Sequence, residues 1–149
     1  MGSSLRLPEE RKAVFLVRWV LVIFTLVGVW FLAEGMSENR ARAELHTALA
    51  TSSGVVVNGQ ALPDPAPVLA ALRGLTHVPA HHSSPTRPLH LKLTGGAHAV
   101  DVVIARDSKT AGEFWVYRPG RNWHNEPLGQ DAGRVISGPL DTYLRHRGF

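Results

Sequence analysis

The stretch AVFLVRWVLVIFTLVGVWFLA, residues 13–33, decides how the rest of the chain is read. It is 21 residues long, with one charge, Arg18, and no proline. At about 1.5 Å of rise per residue, a helix of this length covers roughly 30 Å, the thickness of a bilayer's hydrocarbon core. A helix also satisfies its own backbone polar groups, as lipid demands. The apolar residues run all the way round, which excludes an amphipathic surface helix. The competing reading is a buried helix of a soluble protein. The remaining residues are too few to surround so long an apolar rod. The segment is therefore expected to be a transmembrane helix, which makes the lipid bilayer the chain's first partner.

Arg18 lies close enough to one end of the span to snorkel to the headgroups, and the alternative is an intramembrane ion pair with another subunit. Trp19 and Trp30 read as interfacial anchors. Gly28 has Phe24 and Leu32 four positions away, so no small-residue dimer face is formed. Arg6, Arg11, Lys12 and Arg18 precede or open the span, against Arg40 and Arg42 after it. That imbalance puts residues 1–12 in the cytoplasm and the C-terminal domain outside, which in a bacterial cell means the inner membrane with a periplasmic domain. A cleaved signal peptide is the competitor. Its apolar region is shorter, and the nearest small-residue site, Ala41-Arg42-Ala43, lies well past the apolar run.

Outside the span the composition is that of a globular domain. The 149 residues leave room for one such domain. The absence of cysteine removes disulfides, thiolate metal sites and cysteine nucleophiles together. The net charge is +4, and residues 54–149 carry ten Lys/Arg against seven Asp/Glu. This is too weak and dispersed for a nucleic-acid surface.

Pro8-Glu9-Glu10 suits a helix start, with proline at the first position and carboxylates at the positive end of the dipole. Residues 34–53 hold good helix formers with only a ragged apolar face at Met36, Ala43, Leu45, Ala48 and Leu49. They read as a solvated helical stalk, with docking on a partner as the alternative. Residues 54–149 then form an α+β domain. Val55-Val56-Val57 and Gln60-Ala61-Leu62 flank Asn58-Gly59, the strongest two-residue hairpin signal. Asp64-Pro65 opens a short amphipathic helix ended at Gly74 by a left-handed cap. The Pro/His-rich residues 76–88 read as loop. Leu89–Leu93 and His98–Ala105 alternate as a hairpin, Glu113 to Arg118 is a third clear strand, Arg134 to Ser137 is a short last one, and Leu140, Tyr143 and Leu144 close with a helical turn or two. The expectation is an antiparallel sheet of three to five strands with one or two short helices packed on it.

Chemistry-bearing groups are sparse. His77, His81 and His82 could bind zinc or copper, although Pro79 interrupts a helix there and no carboxylate is near. His124 with Glu126 is a second candidate of the same kind. Arg106-Asp107-Ser108 follows a strand, but no nucleophile elbow accompanies it, and the simpler reading has Asp107 or Ser108 capping a loop while Arg106 pairs with an acid. No Walker loop, dinucleotide fingerprint or zincin motif occurs. No cofactor and no enzyme activity are expected.

The densest aromatic stretch outside the span is Glu113-Phe114-Trp115-Val116-Tyr117. Alternation puts Phe114 and Val116 on one face and Trp115 and Tyr117 on the other. The second face is either covered by the helix at 65–73 or forms, with Arg118 and Arg121, a partner-binding surface. The function expected from the sequence is a single-pass membrane protein whose small extracytoplasmic domain binds another protein, as an accessory subunit or assembly factor. The alternative is a periplasmic zinc- or copper-binding domain using the loop histidines.

Overall fold

The computed structural model describes residues 9–77, 82–119 and 128–149, with side chains from Ala13 onward. Its first element, α1, is a helix of 43 residues, Glu9–Thr51. Two compact units divide at Met36 and Ser37.

In the first unit the apolar side chains of residues 13–33 are exposed on all sides: Leu21 is 61% accessible, Phe24 72% and Leu32 69%. This is one helix long and apolar enough to cross a membrane. The one hydroxyl in it, on Thr25, donates to the Leu21 carbonyl at 2.9 Å, so it adds no unpaired polar group.

The second unit is α+β. Six antiparallel strands run in the order β2-β1-β3-β4-β5-β6: β1 is Gly54–Val57, β2 Gln60–Ala61, β3 Pro85–Thr94, β4 Val100–Asp107, β5 Glu113–Arg118 and β6 Gln130–Ile136. Two short helices, α2 (Ala66–Arg73) and α3 (Gly138–His146), complete it. The main core joins one face of the sheet, from Val55, Leu91, Leu93, Ile104, Phe114 and Val116, to Val68 and Leu72 of α2 and Leu140 and Leu144 of α3.

Residues 37–51 differ most from expectation. They are helical, but not a solvated stalk. Ala41, Leu45 and Leu49 recur every fourth residue and are buried in the same core, with Leu45 at 0% exposure. Such a narrow stripe looks ragged beside the charged residues that flank it, yet it suffices when a sheet supplies the other half of the contact. Arg42 adds a polar fastening, since its Nε donates to the Ala132 carbonyl of β6 at 2.8 Å.

The sheet has six strands rather than three to five, and β3 begins at Pro85 instead of Leu89. Pairing shifts register between Thr86 and Leu89, and Arg87 sits there at φ 49°. That irregularity absorbs Pro88, which has no N–H for a ladder. At the β6 edge of the sheet the last strand starts earlier than expected because Gly133, at φ 135°, carries the chain through a second irregularity. Here Thr76 and Arg134 exchange backbone hydrogen bonds of 3.0 and 2.8 Å, and a Cβ on Gly133 would overlap the Thr76 carbonyl oxygen. The bridge occupies part of the outer edge of β6, a common guard against edge-to-edge pairing.

The Asn-Gly turn forms as expected, with φ 47° at Asn58 and 86° at Gly59. A Cβ at Gly59 meets nothing within 4 Å, so Gly59→Ala isolates backbone strain. It is expected to cost about 1 kcal/mol, read as a lowered unfolding midpoint with an unchanged denaturant slope. Gly74 does end α2, but at φ −80° rather than left-handed, and its N–H reaches back to the Ala71 carbonyl at 3.0 Å. At α3 the cap is Ser137, whose hydroxyl accepts from the Leu140 N–H.

Candidate functional site

All three helices contribute to the core on one side of the sheet, so strand alternation sends the remaining side chains to the other face. Two rows of register partners cross it. His90, Val103 and Tyr117 form one, and Ala105, Trp115 and Arg134 the next. Val103, Ala105 and Tyr117 make a second, small apolar cluster, against which Trp115 and Leu128 pack.

Trp115 is the centre of this arrangement. Its ring stacks with Tyr117 at 6.3 Å and 11°, while the Arg134 guanidinium lies over it, 3.2 Å from the ring centroid. Arg134 is held there by the Asp131 carboxylate, whose two oxygens both accept from its Nη1 at 2.9 Å. The Trp115 indole N–H donates to Asp107 Oδ2 at 2.8 Å. Tyr117 is buried and backs the cluster, whereas Trp115 is only half-buried. Ile136, on the edge strand, is 71% exposed, the one large apolar side chain so exposed among the described residues of the second unit.

The sequence-derived surface is therefore only partly assembled. Trp115 and Tyr117 share a face that α2 does not cover, because Val68, Leu69 and Leu72 of α2 turn to the main core. Arg118 belongs to the opposite face, as alternation with Phe114 and Val116 requires. It approaches Glu44 of α1 at 3.8 Å and donates to the Asp101 carbonyl at 2.9 Å. Arg121 lies outside the described residues. Arg134 was not legible as a site residue, since its stacking on Trp115 depends on pairing between strands far apart in the chain.

Asp107 behaves as the loop anchor its position suggested. Oδ1 accepts from the Lys109 and Thr110 N–H groups, each at 2.8 Å, and Oδ2 accepts from Trp115 and from the Ser83 hydroxyl. Burial by itself would raise the Asp107 pKa, but the hydrogen bonds from Ser83, Trp115, Lys109 and Thr110 outweigh it and hold the carboxyl well below the usual carboxylate range. Arg106 pairs with Asp141 at 2.9 Å, and Asp141 also meets Arg145 at 2.7 Å. Burial would raise the Asp141 pKa too, and the two arginines lower it.

Among the described residues the candidate histidines are not gathered. His77 sits with Nδ1 3.2 Å from Nη2 of Arg42, a fixed positive charge that opposes a metal cation at that nitrogen. His82 is exposed. His81, His124 and Glu126 lie outside the described residues. Among the described residues no group of three His, Asp or Glu side chains is placed to hold a metal ion.

Beside the aromatic cluster the same face carries a groove of about 380 Å³, lined by Val56, Gly59, His90, Lys92, Asp101 and Pro119 together with backbone of β3 and β4. Alternation marked His90 and Lys92 as polar-face residues, but the groove itself arises only when β1, β3 and β4 come together.

What these features define is an α+β domain that follows one long apolar helix in the chain, with an aromatic cluster and a groove on the sheet face that no described helix covers. Comparison with known proteins brings nothing closer: the chain matches no family model, no curated protein and no solved structure.

Proposed function

We propose that this is a single-pass inner-membrane protein whose periplasmic domain binds a protein partner through the helix-free face of its sheet. The observation that carries the reading is the half-buried Trp115 together with the exposed Ile136, which strand alternation from Arg134 and the β5–β6 register put one pair away on the same face, a face that no described helix covers. A rigid aromatic with an apolar neighbour and a cation stacked on it is the kind of anchor that dominates protein–protein contacts. The membrane assignment is supported by the uniform exposure and apolarity of residues 13–33. The orientation is supported by the excess of Lys and Arg before that segment.

The test is capture from detergent-solubilised membranes at native expression. The wild-type chain is expected to bring down a stoichiometric protein. Ile136→Asp, which changes an exposed side chain, is expected to reduce recovery of that protein about tenfold, since a charge facing an apolar contact leaves an uncompensated desolvation cost. Recovery of the chain alone, or equal recovery by wild type and Ile136→Asp, would overturn the reading. Release of the chain from membranes by carbonate, or protection of the domain from protease added to spheroplasts, would overturn the location.

A further inference from the structure

The groove supports a proposal that stands apart from the partner reading: we propose that it binds a short zwitterionic peptide, ammonium end toward Asp101 and carboxylate end toward Lys92 and His90. Lys92 of β3 and Asp101 of β4 are direct register partners, the placement in which opposite charges ordinarily attract. No ion pair joins them. Among the described residues, the side chains of Lys92, Asp101 and His90 carry no hydrogen bond or ion pair, and all three are exposed along one groove. The groove therefore offers a cation, an imidazole and a carboxylate, each with free valences, over a floor to which Val56 contributes.

Charge balance selects the ligand class. A simple anion gains at Lys92 and is repelled by Asp101, and a simple cation meets the reverse. A molecule with both charges a few ångströms apart gains at both ends. The size agrees, because about 380 Å³ lies at the small end of ligand sites and suits a peptide of about two residues better than a folded segment. The wall is also preformed. Asn58 at the β1–β2 turn donates its N–H to the His90 carbonyl at 2.8 Å and accepts the His90 N–H on Oδ1 at 3.0 Å, which pins the hairpin against β3. A site already held in shape loses less ordering entropy on binding.

The experiment is calorimetry on the full chain in detergent with four probes: L-alanyl-L-alanine, its N-acetyl form, its C-terminal amide and the doubly blocked peptide. The free dipeptide is expected to bind with a Kd below about 1 mM, and blocking either end to weaken it about tenfold. In Lys92→Gln the penalty for amidating the C-terminus is expected to shrink to what His90 alone supplies, and in Asp101→Asn N-acetylation is expected to make no further difference. Both side chains are exposed, and a thermal melt checks that the fold is intact. No binding of any probe at 10 mM (roughly the weakest useful affinity by the standard relation), equal binding of free and doubly blocked peptide, or unchanged ratios in the two variants would each overturn the proposal. None of these results bears on capture of a protein partner through Ile136, so the two readings fail separately.

Discussion

Leu45→Ala is expected to destabilise the domain by about 3 kcal/mol, because it empties a fully buried leucine site. Leu45 has no exposed surface and lies between Ala41 and Leu49 in the main core. The loss has two parts, the transfer of the missing methyl and methylene groups and the cavity left where the sheet cannot follow the helix inward. For a unit of this size the unfolding midpoint falls by roughly 10 °C. Met36, 73% exposed, is the control, and Met36→Ala is expected to stay within about 0.5 kcal/mol. Thermal unfolding of both variants followed by near-ultraviolet circular dichroism decides the matter. Equal midpoints would restore residues 37–51 to the status of a spacer. A drop confined to Leu45→Ala makes the end of α1 an integral layer of the fold.

Asp107→Asn is expected to cost about 2–4 kcal/mol, since a buried carboxylate with several donors loses its charge and part of its acceptor capacity. The introduced side-chain amide must point its NH₂ group at the Trp115 indole N–H or at the Lys109 and Thr110 amides, and each of these already donates. Three separate pieces loosen together: the chain at Ser83, the turn after β4 and the ring of Trp115. The sign of the pH dependence follows from the depressed pKa. The ionised form is the one the fold prefers, so its contribution is complete above the unfolded aspartate value of about 3.9 and is lost as pH falls through the folded value. Wild-type stability therefore drops as the medium is acidified below about pH 4, and the Asp107→Asn variant shows a flatter profile there. Asp141, lowered by Arg106 and Arg145, contributes a slope of the same sign in both proteins. Parallel acid-denaturation curves would show that Asp107 is not held as described.

Much of the fold could be read directly, for local reasons. The α+β class, the Asn-Gly hairpin, the limits of β5 and the opposite facing of Phe114 and Trp115 all depend on neighbouring residues, and they are found. The segments misread depend on distant partners. Residues 85–88 became strand because β4 lies beside them. β6 gained its first half because Gly133 could take a backbone angle that makes room for Thr76. Alternation also placed Arg118 opposite Trp115, so grouping the two as one surface set adjacency in sequence above the period of a strand.

By itself the amino-acid order determined an apolar helix of bilayer length, a separate α+β domain and the aromatic stretch Glu113-Phe114-Trp115-Val116-Tyr117, because each is written in contiguous residues. The tertiary structure alone decided three further things. It turned residues 37–51 into core, stacked Arg134 on Trp115, and set Lys92 across from Asp101 in a groove without an ion pair. The reason is physical: a period of 2 or 3.6 residues announces which side of an element is apolar, but not what will lie against it. Burial and charge pairing are properties of the surface that arrives, and here that surface comes from residues up to 90 positions away, as with Arg42 and the Ala132 carbonyl.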